Sequence, residues 1–141
     1  MVRTHVTITC MEAQHTKHVT YKLAYHFVWC PKYRKHNLTG KIAALVEQEL
    51  YRICKANTWT RGALNVQEDH VHLFLSAPPS VAPSQIAPIL KGTTARHVFQ
   101  HFPEVKKQLW GGTFWSRSYS VGSGGDMSVD TVLKYSESGQ N

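Results

Sequence analysis

Cysteine and acid are both scarce in this sequence. Cys10, Cys30 and Cys54 stand far apart among 141 residues. No Cys-x-x-Cys occurs, which excludes zinc-ribbon and thioredoxin-like chemistry. An odd, widely spaced set fits free buried thiols in a reducing compartment. Nine acids face sixteen Lys and Arg, for a formal net charge of +7. The acids form no cluster of the kind a two-metal nuclease uses, and the excess of bases points to a polyanionic partner, nucleic acid foremost. No apolar run approaches the length of a membrane span, and the first residues lack the apolar centre of a signal peptide. A soluble, cytoplasmic protein with no membrane partner is expected. The P-loop, Gly-x-Gly-x-x-Gly and Gly-x-Ser-x-Gly patterns are all missing. "GSGG" at 122–125 follows none of them and reads as a hinge. Hydrophobic residues make up 42% of the chain, enough for a core and against disorder. The length is that of one domain.

Hydrophobic periodicity orders the elements. Residues 1–18 read as a loose arm before a single domain at 19–141. Residues 19–33 alternate and are rich in aromatic and β-branched side chains, which predicts a strand that Pro31 ends. Ile42, Leu45, Val46, Leu50 and Ile53 recur at helical spacing, which predicts a helix over 39–58. Residues 59–69 and 70–77 read as two strands. "PPSVAP" breaks the chain, and 84–102 is helical in its later part. Residues 103–110 form a short turn or helix, 112–123 is strand-like, and 128–138 is a final helix with Ser128 as N-cap. The order β-α-β-β-α-β plus a C-terminal helix predicts an α+β, ferredoxin-like (RRM-like) antiparallel sheet with helices on one face.

Chemistry falls on that frame at three places. In "EDHVHLFLS" (68–76), strand alternation sends Val71, Leu73 and Leu75 to the core and His70 and His72 to the opposite face with Phe74. Two imidazoles at i and i+2 are able to share one divalent metal. A His pair is by itself a weak signal in a chain with nine histidines. Its position on a central strand, away from the apolar side, strengthens it. On the final helix Val129, Val132 and Leu133 make the apolar stripe, and Tyr135 falls roughly 110° from its middle. It is therefore either a rim tyrosine or a nucleophile, since a phenol attacks phosphorus. With a free pKa of about 10 it would need a metal to polarise the target. Finally, "WCPKYRKH" mixes Lys32, Arg34 and Lys35 with Trp29 and Tyr33, and "LKGTTARHVFQH" adds Lys91 and Arg96. Such mixtures bind phosphates and stack bases, although any one of them is as readily a solvated charge.

Taken together, "YHFVWCPKYR", "DHVHLFLS", "LKGTTAR", "KKQLWGGTFWSRSY" and "VLKY" run in order through nearly the whole chain. The chain resembles the HUH single-tyrosine transposases (TnpA) of insertion-sequence 200/605-type elements. The resemblance implies that His70 and His72 are metal ligands for Mg²⁺ or Mn²⁺ and that Tyr135 is the nucleophile. It implies a homodimer whose last helix carries the tyrosine to the partner's site. The substrate would be single-stranded DNA with a hairpin, cleaved and rejoined through a 5′-phosphotyrosine. The family places a further polar ligand, usually Gln, four residues after the tyrosine. Here that position is Gly139 and Gln140 follows it, so Gln140 is the candidate third ligand, and weaker metal binding than the family pattern allows is expected. Two alternatives accompany this reading. One is a hairpin-DNA-binding derivative with little cleavage. The other is a rolling-circle replication initiator, disfavoured by the short chain and the missing helicase motif.

Overall fold

The computed structural model describes residues 14–15, 20–21, 24–109 and 112–123. Its centre is a four-stranded antiparallel sheet. Two short strands, β1 (Gln14–His15) and β2 (Thr20–Tyr21), pair with each other in a sheet separate from the main one. The main sheet is built from β3 (Tyr25–Trp29), β4 (Thr60–Val66), β5 (Val71–Ser76) and β6 (Ser120–Ser123), in the order β4-β5-β3-β6. Three helices complete the described fold: α1 (Gly40–Ala56), α2 (Pro83–His101) and α3 (Pro103–Gln108). With α1 crossing from β3 to β4 and α2 from β5 to β6, this is the predicted split β-α-β topology.

Register decides which residues share a face. Phe27 pairs with Leu73 and Trp29 with Val71, so the sheet's inner face is Phe27, Trp29, Val71, Leu73 and Leu75, all essentially inaccessible. Against it α1 sets Val46, Leu50 and Ile53, and α2 sets Ile86, Leu90 and Val98, in one cluster. Each such side chain contributes on the order of 1.5–3 kcal/mol by leaving water. The two helices are also tied to each other. Glu49 of α1 lies 2.7 Å from His97 Nδ1 of α2 and accepts from Arg52 at 2.8 and 3.1 Å. Burial pushes the Glu49 carboxyl up, but Arg52 and His97 outweigh it and hold the group below the usual range. A depressed carboxylate stabilises the fold above its ordinary pKa and ceases to do so as acid protonates it. Glu49→Gln is therefore expected to cost about 1–2 kcal/mol at neutral pH, with the difference from native shrinking in acid. Urea melts at neutral and acid pH check this, and a pH-independent difference would contradict it.

Three sequence-based boundaries change. Among the described residues, the strand expected over 19–33 joins the main sheet only over Tyr25–Trp29, and beyond Pro31 the chain turns at Lys32–Arg34 with non-helical backbone at Tyr33. The second helix is regular from Pro83, not only in its later part. Proline fits the first helical position, where an N–H would be unpaired anyway. Gln85 Oε1 accepts from the Ala82 N–H at 2.7 Å and so supplies half of a capping box. Pro88 lies inside this helix and lacks the N–H for the Ser84 carbonyl, but both residues are on the exposed side of the helix. The span 112–123 pairs as a regular strand only over Ser120–Ser123. Its aromatic content reflects burial of Phe114 and Trp115 in an irregular segment, joined to 30–32 by bonds from Lys32 N to the Phe114 carbonyl and from Ser116 N to the Cys30 carbonyl, each 2.9 Å. The expected helix over 128–138 lies outside the described residues. Cys30 and Cys54 are buried and outside any disulfide, as read from the sequence, and burial pushes Cys54 up to about 11.

Candidate metal centre and nucleic-acid interface

On the sheet's other face, opposed pairs bring imidazoles together. Val28 of β3 faces His72 of β5, and His26 faces Phe74. His26, Val28, His72 and Phe74 therefore share the face away from the helices, as alternation predicts for His72 and Phe74. The rings pack closely. His26 and His72 stack with centroids 5.9 Å apart, and Phe74 sits 3.7 Å from His26 and 4.6 Å from His72. His72 is 4% exposed, and its Nε2 is buried with no hydrogen-bond partner. Burial, followed by the neighbouring His26 and His70, pulls its pKa down to about 4. The ring is therefore neutral at physiological pH, the form in which imidazole binds a metal. A buried nitrogen lone pair without a donor costs free energy unless something outside the chain satisfies it.

His70 stands one residue before β5, where the tight connection from β4 ends. Gln67 N donates to the His70 carbonyl at 2.9 Å and closes that connection. The His70 ring is 12% exposed, with Nδ1 2.9 Å from Asp69 Oδ1. The other Asp69 oxygen, Oδ2, accepts from Arg34 Nη2 at 2.5 Å. Burial pushes the Asp69 carboxyl up, but the bonds from His70 and Arg34 outweigh it and hold it below the usual range. An ionised carboxylate only accepts, so His70 Nδ1 is the donor of that bond, and in the neutral ring the lone pair is on Nε2. Both rings thus satisfy the chemistry of a divalent-metal donor pair. Among the described residues no set of three His, Cys, Asp or Glu is assembled around one point. Tyr135 and Gln140 lie outside the described residues.

The basic candidates separate into two groups. Lys32, Tyr33, Arg34 and Lys35 form the turn beside Asp69. Tyr33 and Arg34 have positive φ, 60° and 49°, which is uncommon for side-chain-bearing residues and costs energy. Tyr33 is thrown outward, 75% exposed, with Lys32 Nζ 5.4 Å from its ring centroid. Lys35 is exposed, whereas Arg34 turns in to Asp69. The other two, Lys91 and Arg96, stand on α2, across the sheet from the imidazoles. Arg96 is exposed. Lys91, expected as a phosphate contact, directs its ammonium inward to the carbonyls of Ser116, Arg117 and Ser118 at 2.7, 3.0 and 3.2 Å. Burial pulls its pKa down to about 8. Lys91→Met keeps the stem but leaves those carbonyls without their donor. A loss of about 1–3 kcal/mol is expected, read as a lower melting temperature, and an unchanged one would contradict the clamp.

Two residues escaped the sequence reading. His26 was legible in part, since alternation around Phe27 and Trp29 puts it on the face away from the core, while its nearness to His72 comes from strand pairing. Asp69 was not, because its role depends on a turn that brings residues 35 positions apart into contact.

Comparison with known proteins gives this geometry a family. The family described as "Transposase IS200 like" matches residues 19–138. The ISDra2 transposase TnpA of Deinococcus radiodurans is 36% identical over 128 residues, 91% of each chain. The transposase for insertion sequence element IS200 of Salmonella typhimurium is 29% identical over 107 residues, 74% of this chain and 68% of that one. A crystal structure assigned to a transposase of Deinococcus radiodurans R1 superposes with a TM-score of 0.80 at 34% identity, over 89% of this chain and 96% of that one. A chain with this sheet, this paired imidazole and these relatives belongs to the IS200-like transposase family.

Proposed function

We propose that this transposase binds single-stranded DNA carrying a hairpin, and cleaves and rejoins it through a 5′-phosphotyrosine on Tyr135. The observation that carries the reading is the unpartnered Nε2 of the neutral, buried His72, beside a His70 whose Nδ1 is already held by Asp69. His70 and His72 would hold Mg²⁺ or Mn²⁺, with Gln140 as third ligand. The cation, when bound, polarises the scissile phosphate. Tyr135 Oη forms the new bond to phosphorus as the bond from phosphorus to the 3′ oxygen breaks. The phenol proton leaves to solvent, and the departing oxygen becomes a 3′-OH. A 3′-OH reverses the step to rejoin DNA, so neither water nor ATP is consumed.

Lys32, Tyr33 and Lys35 would meet the strand, Tyr33 by stacking and the lysines at phosphates, with Arg96 a further contact on the α2 side. The functional unit would be a homodimer. Among the described residues no helix is long and apolar enough to cross a membrane. Tyr33→Ala is expected to weaken binding of a hairpin oligonucleotide by about 1–3 kcal/mol with an unchanged salt slope. Lys35→Ala is expected to flatten that slope by roughly one unit. Titrations at several salt concentrations check both. Tighter binding to a plain duplex of the same sequence would count against the single-strand preference. Incubating the chain with a hairpin-bearing oligonucleotide from the DNA flanking its gene tests the reaction itself: strand cleavage supports the enzyme, and binding without cleavage supports the hairpin-binding alternative.

A further inference from the structure

We propose that Asp69, anchored by Arg34, is the positioning residue of the metal centre, fixing the tautomer and orientation of His70. This rests on reading His70 and His72 as ligands. Three observations carry it. Asp69 divides its two oxygens, Oδ1 to His70 Nδ1 and Oδ2 to Arg34 Nη2, so the carboxylate is held from both sides. With Nδ1–H donated to a carboxylate, only Nε2 is left to coordinate, and the ring cannot flip without losing that bond. Metal-binding histidines characteristically have such a partner, which also raises the basicity of the ligating nitrogen.

The third observation is the backbone of the Lys32–Arg34 turn. Two consecutive residues with side chains hold positive φ there. Strain of this kind persists only where surrounding contacts over-determine it. Those contacts are Arg34 N to the Pro31 carbonyl at 2.8 Å, Lys32 N to the Phe114 carbonyl at 2.9 Å, and the Arg34–Asp69 pair. The left-handed turn aims Arg34 inward at Asp69 while Tyr33 points to solvent. The same turn that offers an exposed aromatic to nucleic acid therefore holds the carboxylate that holds His70. His36, exposed nearby, lies 3.9 Å from Asp69 Oδ2 and 3.6 Å from Glu68 Oε1, at the edge of the pair.

The test reads the His70 ring directly. In the metal-free chain, ¹⁵N imidazole shifts at a pH where the ring is neutral are expected to show the Nδ1–H tautomer. Asp69→Ala should convert His70 to a mixture dominated by Nε2–H. Mn²⁺ binding, followed by electron paramagnetic resonance without DNA, should weaken about 10–100-fold in Asp69→Ala, with a smaller loss in Arg34→Gln and in Asp69→Asn. His72→Ala serves as the reference that removes a ligand outright. An Nε2–H tautomer in the native chain overturns the proposal whether or not any variant folds. So does a folded Asp69→Ala chain that binds Mn²⁺ as tightly as native while His72→Ala does not. If His72→Ala itself binds as native, the ligand assignment fails, and the positioning role fails with it.

Discussion

Replacing His72 with leucine is expected to abolish metal-dependent cleavage while leaving the metal-free fold at least as stable as native. His72 is buried on a central strand, packed against the Phe74 ring with His26 beyond it, and its Nε2 has no partner. Leaving a buried polar atom unsatisfied costs about 1–3 kcal/mol. Leucine has similar bulk and no polar atom, so it removes that cost and creates no large cavity. Alanine loses the same nitrogen but opens a void, and is expected to be less stable than leucine by about 2–3 kcal/mol. Neither variant offers a donor to a divalent cation, so cleavage should fall by more than about 100-fold in both. A site residue whose removal improves the apo fold is retained for something other than folding. The check pairs melting temperatures in chelator with cleavage of a hairpin oligonucleotide in Mn²⁺. Full cleavage by either variant would remove His72 from the mechanism.

Tyr135→Phe is expected to bind hairpin DNA as the native chain does and to form no covalent adduct. The substitution removes one oxygen and keeps the ring, so contacts made by the ring survive while the attacking atom is gone. Loss of a nucleophile commonly lowers turnover by a factor of about 10³ or more. The product of a denaturing gel should therefore show no protein-linked strand, with the dissociation constant in the same gel-shift series within about twofold of native. An adduct that persists in this variant would place the nucleophile at another residue.

How much of this was readable from the amino-acid order depends on the range of the interactions involved. β5 was legible because Val71, Leu73 and Leu75 alternate with His72 and Phe74, and period-two alternation is a property of the strand itself. α1 was legible for the same local reason at a period of 3.6. The start of α2 was obscured by "PPSVAP", which reads as a breaker although its last proline, Pro83, occupies the first helical position. Residues 112–119 looked like a strand because Phe114, Trp115 and Tyr119 are strand-favouring residues. Here Trp115 Nε1 donates to Thr94 Oγ1 at 2.9 Å and Lys91 gathers the following carbonyls, so tertiary anchoring replaces the ladder.

The site divides along the same line. The His70–His72 spacing is local and was visible. The inward turn of Arg34 to Asp69, and of Lys91 to the 116–118 carbonyls, depends on contacts between residues far apart in sequence. Lysine and arginine read from a sequence as basic surface, and nothing local tells a phosphate contact from an internal clamp. His26 falls between these cases. Its position opposite Phe74 follows from strand pairing, which alternation permits but does not specify.

The most direct measurement is the intact mass of the denatured protein after reaction with a hairpin-bearing oligonucleotide, with Mn²⁺ and with chelator. Attack by Tyr135, as proposed, would break the bond to the 3′ oxygen and leave the downstream fragment attached through its 5′ phosphate. The account predicts a protein mass increased by that 5′-phosphorylated fragment, only when metal is present, together with a released strand ending in a 3′-OH. Cleavage that yields a free 5′-phosphate and leaves the protein mass unchanged would mean that water is the nucleophile, and would contradict the account.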